Sequence, residues 1–96
     1  MGAQRLSEEQ ITEGLKKVPG WSIEKGMLHR EFVFKDFCAA FGFMTQVALA
    51  AEAMNHHPDW SNGWNKVTIN LMTHSAGGIT DRDFKLAERI QELSGA

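Results

Sequence analysis

Apolar positions recur along this chain with two periods, and the switch between them sets an order of elements. Ile11, Leu15 and Val18 form one helical stripe. Ser7 stands before it as an N-cap with Gln10 three residues on, the spacing of a capping box, and Leu6 is placed to staple onto Ile11. Pro19-Gly20 end that helix. Trp21 and Ile23 then alternate with polar residues up to a Lys25-Gly26 turn. Leu28, Arg30, Phe32 and Phe34 share one face of the next strand, with His29, Glu31 and Val33 on the other, so the two runs read as a β-hairpin.

Asp36 caps the longest element, from about Phe37 to Asn55. Phe37, Phe41, Met44, Ala48 and Ala51 recur at helical spacing, and Phe43, Val47, Ala50 and Met54 form a second stripe. The fifteen residues between Asp36 and Glu52 carry no charge, fewer than the roughly 20 apolar residues a bilayer span needs. One small sheet covers only one stripe, so the second is expected to meet a partner, self-association being favoured over cover by a short terminal helix.

After Pro58, Trp60, Asn62 and Trp64 alternate with small or polar residues, and a turn near Asn65-Lys66 leads into Val67-Thr68-Ile69-Asn70-Leu71. Val67, Ile69 and Leu71 face one way; Thr68, Asn70, Met72 and His74 face the other. Ser75-Ala76-Gly77-Gly78 reads as a loop. Thr80 caps a last helix with Asp83 at the capping-box position, and Ile79, Asp83, Leu86, Ala87, Ile90 and Leu93 make its inner stripe. The order α-β-β-α-β-β-α predicts an α+β fold, a four-stranded antiparallel sheet with helices packed on one face.

Ninety-six residues, 43% hydrophobic and 23% charged, suit one globular domain spanning 1–96. A net charge of -2 argues against direct nucleic-acid binding, which needs a basic face. The single Cys38 excludes an intrachain disulfide and makes a reducing compartment the default. The first residues lack the apolar run of a signal peptide. Cytosol is the expected location, with the nucleus open to so small a chain, and no membrane is expected.

Chemistry concentrates in Glu52-Ala53-Met54-Asn55-His56-His57-Pro58-Asp59-Trp60. Pro58 disfavours helix at the preceding residue, so His56 and His57 should diverge where the long helix ends. Glu52 and His56, four apart, are expected to be neighbours on the helix, the carboxylate fixing the ring; an ordinary surface ion pair is the plainer reading of that pair alone. His74 lies at the end of the later strand and joins the same region. No zinc-ligand spacing is present, and Cys38 has no basic neighbour to activate it. Three imidazoles without a metal suit general acid–base work on a small molecule. Trp60 and Trp64 could stack on a planar ligand or simply pack, and Asp83 is structural unless its helix start faces His74.

Taken together, Glu52-x3-His56-His57-Pro58, the aromatic Trp64, His74 and the acid Asp83 closely resemble the signature of the pterin-4a-carbinolamine dehydratase family. The resemblance covers nearly the whole chain, from Leu6-Ser7 through Trp21 to the last helix. Ser61 and Gly63-Trp64 depart from it, which touches the pocket rim and substrate preference. The resemblance implies loss of water from 4a-hydroxytetrahydrobiopterin to give quinonoid dihydrobiopterin, a step that recycles the pterin cofactor of aromatic amino-acid hydroxylases. It implies no cofactor and no metal. In this reading His56 and His57 are the acid and the pterin-orienting residue, and His74 is the complementary acid–base group. Glu52 tunes His56, Trp60 walls the pocket, and Arg82 with Asp83 orients His74 or the substrate. Vertebrate relatives also act as dimerisation cofactors for a homeodomain transcription factor. The uncharged 37–51 segment fits such a partner, or a homo-oligomer, dimer or tetramer, through the central helix.

Overall fold

The computed structural model describes residues 3–95. Its elements are α1 (Glu8–Leu15), β1 (Ser22–Glu24), β2 (Met27–Val33), α2 (Phe37–Met54), β3 (Asp59–Gly63), β4 (Lys66–Leu71), a 3-10 turn (His74–Ala76) and α3 (Asp81–Ser94). This is the expected order. Each α-helix starts where a side chain replaces a missing backbone acceptor. Ser7 and Gln10 satisfy each other's N–H groups reciprocally at α1, the Asp36 carboxylate accepts from the Ala39 N–H at 2.8 Å, and Thr80 with Asp83 forms a second capping box at α3.

The strands line up as β1-β2-β4-β3, every neighbour antiparallel. Lys25 and Gly26 both take positive φ, 52° and 77°, so the first hairpin closes on a tight turn whose twist matches the strands. The connection through α2 carries the chain across the sheet and sets β3 on the far side of β4. β4 is therefore central, and its Val67, Ile69 and Leu71 are completely buried. They pair with Phe32, Trp60 and Leu28 across the ladder, which puts all six on one face.

Against that face pack Ala40, Phe43, Val47 and Ala51 of α2 and Leu86, Ala87 and Ile90 of α3. Phe32 sits among Trp21, Phe34 and Phe43, with ring centroids 5.0–6.5 Å away. Arg30 shares the core face and ties its rim together. Its guanidinium donates to the Pro19 carbonyl and to Gln91 Oε1 and lies 4.4 Å from the Phe32 ring centroid. Burial pushes its pKa below the ordinary arginine value. On the open face His29 is half-buried between Asn70 Oδ1 at 2.7 Å and Glu24 Oε2 at 3.1 Å.

Three expectations need correction. On α2 the sheet covers the second stripe, through Phe43 and Val47, while Phe37 and Phe41 of the first stripe stay about half exposed and Leu49 more so. The helix is apolar nearly all round, so its own periodicity could not choose a face. Second, α2 has 18 residues of mean hydropathy 1.4 and passes the length and composition test for a membrane span; four of its residues belong to the core just described. Third, the second hairpin turns at Trp64-Asn65, since Gly63 already pairs with Lys66.

Candidate active site

The end of α2, the start of β3, the end of β4 and the start of α3 meet at one end of the sheet. β3 and β4 run antiparallel, so Asp59 at the start of one faces Asn70 near the end of the other. A cavity of about 340 Å³ opens there, lined by His56, His57, His74, Met72, Thr73 and Arg82 among others. That is the low end of the range of ~300–1,000 Å³ typical of small-molecule pockets. Two larger depressions, about 730 Å³ between α2 and α3 and about 560 Å³ between α1 and α3, contain no histidine.

Asn55, not Pro58, ends α2. It adopts the left-handed conformation with φ 51°, its N–H donates to the Glu52 carbonyl, and the His56 N–H donates back to Ala51 O at 3.0 Å. This is a Schellman closure, and it reverses the chain so that His56 turns inward. Arg82 completes the end by donating to the carbonyls of Asn55 at 2.7 Å and Met54 at 3.5 Å. It braces the helix end, and no hydrogen bond joins it to His74.

The two adjacent histidines diverge as expected, but their partners differ from the expectation. His56 is only 7% exposed, and its Nε2 lies 2.5 Å from Oδ1 of Asp83, which is fully buried. His57 is 55% exposed and takes Glu52, at 2.8 Å. The left-handed Asn55 swings His56 out of reach of the α2 surface and brings His57 back over it. Asp83, expected to orient His74 or the substrate, holds His56 instead, because the inner stripe of α3 points it into the core beneath the cavity.

His74 begins the 3-10 turn instead of continuing β4, is 76% exposed, and approaches Asp59 at 3.5 Å. Its loop is closed by a backbone bridge between Thr73 and Gly78. Trp60 lies on the core face opposite Ile69 and packs against the core. It is not among the residues lining the cavity. Trp64 sits on the distant hairpin turn, 66% exposed.

Thr73 was missed by sequence reasoning. It continues the buried alternation Val67, Ile69, Leu71, and a threonine in a core register calls for a buried partner. Its hydroxyl is 3.0 Å from Asp83 Oδ2 and 2.7 Å from the Thr80 hydroxyl. Among the described residues no cluster of His, Cys, Asp and Glu is placed to hold a metal ion.

The sequence profile of the pterin 4 alpha carbinolamine dehydratase family matches residues 4–93. The chain belongs to this family. A relative from Solibacter usitatus (strain Ellin6076), provisionally named pterin-4-alpha-carbinolamine dehydratase, is 53% identical over 90 residues, 94% of this chain and 95% of the relative. A crystal structure described as a transcriptional coactivator/pterin dehydratase from Brucella melitensis is 42% identical, with a TM-score of 0.93, covering 96% of this chain and 100% of the other. A more distant structure, a pterin dehydratase-like protein identified as a RuBisCO assembly factor in the α-carboxysome, shares the fold, with TM-score 0.69 and 24% identity over 83% of this chain and 95% of the other.

Proposed function

We propose that this chain, acting over 1–96 as one pterin carbinolamine dehydratase-like domain, converts 4a-hydroxytetrahydrobiopterin to quinonoid dihydrobiopterin and water by histidine acid–base catalysis. The observation that carries the reading is the convergence of His56, His57 and His74 on one cavity, with His56 backed by a buried carboxylate. In the reaction the C4a–O bond breaks with its electron pair leaving on oxygen, which takes up a proton to depart as water. The adjacent ring nitrogen loses its proton, and its electrons form the new C=N bond.

His56, which the sequence reading placed in the acid and pterin-orienting pair, takes the part of base in this assignment, and His74 that of acid. Its Nε2–H is directed at Asp83, which leaves Nδ1 to accept the ring-nitrogen proton, and the imidazolium then formed is stabilised beside the carboxylate. This is the carboxylate–imidazole logic of the hydrolase triads. His74 protonates the departing hydroxyl from the other side of the cavity, and the solvent-exposed His57 orients the pterin. One positioned group contributes roughly 10² to 10⁴-fold to such a transfer. In the cell the step would return a pterin cofactor to use by aromatic amino-acid hydroxylases.

The test mixes the purified chain with freshly generated 4a-hydroxytetrahydropterin and follows the quinonoid product by ultraviolet absorbance. Dehydration should outrun the buffer blank and fall back to it in the His56→Ala/His57→Ala double variant. A wild-type rate equal to the blank defeats the proposed activity, and near-normal turnover in the double variant defeats the site assignment.

A second role is supported by the outward face of α2. Phe37 and Phe41 lie with ring centroids 5.5 Å apart, and with Leu49 they form an exposed apolar strip free of charge from Phe37 to Ala51. The Brucella structure carries the description coactivator alongside dehydratase. We propose that this strip pairs with a second copy of the chain, and a helix of a transcription-factor partner is the alternative occupant.

A further inference from the structure

We propose that the Thr73 hydroxyl is a positioning group for the cavity, pinning Asp83 so that His56 is committed to the tautomer that presents Nδ1 to the opening. The direction of every hydrogen bond beneath the site follows from counting donors. Asp83 is reached by three: the Thr80 N–H at 2.9 Å and the Thr73 hydroxyl at 3.0 Å, both on Oδ2, and His56 Nε2 on Oδ1. An ionised carboxylate only accepts, so the single Thr73 proton goes to Asp83. The 2.7 Å contact between Thr73 and Thr80 must then use the Thr80 proton, with Thr73 oxygen accepting. Thr80 oxygen in turn accepts from the Arg82 N–H at 3.2 Å. The chain therefore runs one way, Thr80 to Thr73 to Asp83, and the only role left for His56 Nε2 is to donate.

His56 Nδ1 has no partner. Among the described residues Trp21 Nε1 is the one sealed side-chain polar atom left unpaired, so the unpartnered Nδ1 of His56 is not sealed, and His56 is one of the residues lining the cavity. Thr73, Thr80 and Asp83 are all buried, so a carboxylate that loses one of these donors is left with an under-satisfied charge in the core, which is costly. The hydroxyl is separable from the other work of Thr73, because the loop bearing His74 is closed by Thr73 backbone atoms, not by its side chain.

The kinetic side of this inference rests on the dehydratase reading; the tautomer does not. Long-range ¹⁵N–¹H correlation spectra of the histidine-labelled chain, without substrate, should show His56 as the Nε2–H tautomer, its resonances identified by their loss in His56→Ala. Thr73→Val, close to isosteric, removes one of the two donors that hold Oδ2; a carboxylate free to turn away from His56 should admit the Nδ1–H tautomer, and kcat should fall roughly tenfold at unchanged KM, the scale of one net hydrogen bond. Thr73→Ser should restore both. A wild-type His56 protonated on Nδ1 overturns the proposal, as does a Thr73→Val chain that keeps the Nε2–H pattern and a kcat within twofold. If the valine variant does not fold, the wild type still decides: a Thr73 hydroxyl donated to a buried carboxylate resists exchange with water and gives its own proton resonance, and its absence overturns the proposal. A wild-type chain that dehydrates no faster than buffer defeats the function proposed above, while the spectra still decide this inference.

Discussion

At the scale of single residues, the two imidazoles next to each other in the chain are placed in opposite physical situations. His57 meets Glu52 in solvent, where an ion pair is worth only about 0–1 kcal/mol, so its ring is weakly held. His56 meets Asp83 where water is excluded, and the Asp83 oxygens are already oriented by Thr73 and Thr80. A fixed partner selects one tautomer; a solvated one does not. Asp83→Asn tests this difference. Its amide can keep one oxygen on Thr73 and the Thr80 N–H but must then offer an NH2 to His56 Nε2, forcing the other tautomer. We expect kcat to drop by roughly 10² to 10⁴-fold, the range of a general acid–base contribution, while the helix-capping bond survives and the chain still melts cooperatively. Pterin turnover and a thermal melt on the same sample check both halves; an unaltered kcat would remove Asp83 from the proposed mechanism.

At the scale of elements, the site depends on how helices and strands are made to end. Asn55 accepts a left-handed backbone, and the closure it permits turns His56 inward. The second hairpin spends the same conformation less favourably. Trp64, with φ 45°, occupies the first position of a two-residue turn where glycine is preferred. For an L residue with a Cβ that geometry costs about 1–2 kcal/mol, and Trp64 is too exposed to recover much by packing. Trp64→Gly should therefore leave stability unchanged or raise it by up to ~1 kcal/mol, glycine's greater unfolded-state freedom offsetting part of the relief. Denaturant titration reads the difference, and a loss beyond about 1 kcal/mol would mean that the indole packs on something, such as a second copy.

At the scale of the whole molecule, α2 has two apolar faces and the domain covers one. The covered face joins the sheet and α3 in a single core; the other leaves Phe37, Phe41 and Leu49 facing out. Light scattering on the eluting wild-type chain should report an oligomer. Phe41→Glu should weaken its association by roughly 30-fold or more, the effect expected of an aromatic anchor at an interface, without lowering the melting of the monomeric core. A wild-type chain that runs as a monomer would leave the strip to a different partner. The cavity stands at the opposite end of α2 from Phe37, which separates an association defect from a direct loss of the histidine cluster.

Much of this protein was determined along the chain itself. Capping residues at Ser7, Asp36 and Thr80, the Lys25-Gly26 turn and the alternation Val67-Ile69-Leu71 each act over a few residues, so local chemistry was enough to predict the element order and the sheet's inner face. The histidine cluster was also legible, as residues and as a resemblance. What the local pattern left open was every choice between two nearby solutions. Glu52 is close in sequence to both His56 and His57, and only the reversal at Asn55 decides which one it meets. The faces of α2 are nearly equivalent in hydropathy, and only docking on the sheet distinguishes them. Asp83 satisfies a capping box in any α3, but it becomes the partner of His56 because packing α3 against α2 and β4 brings residues 27 apart in sequence within 2.5 Å. Such contacts join segments far apart in the chain, and their energy depends on exclusion of water, a property that exists only once the core has closed.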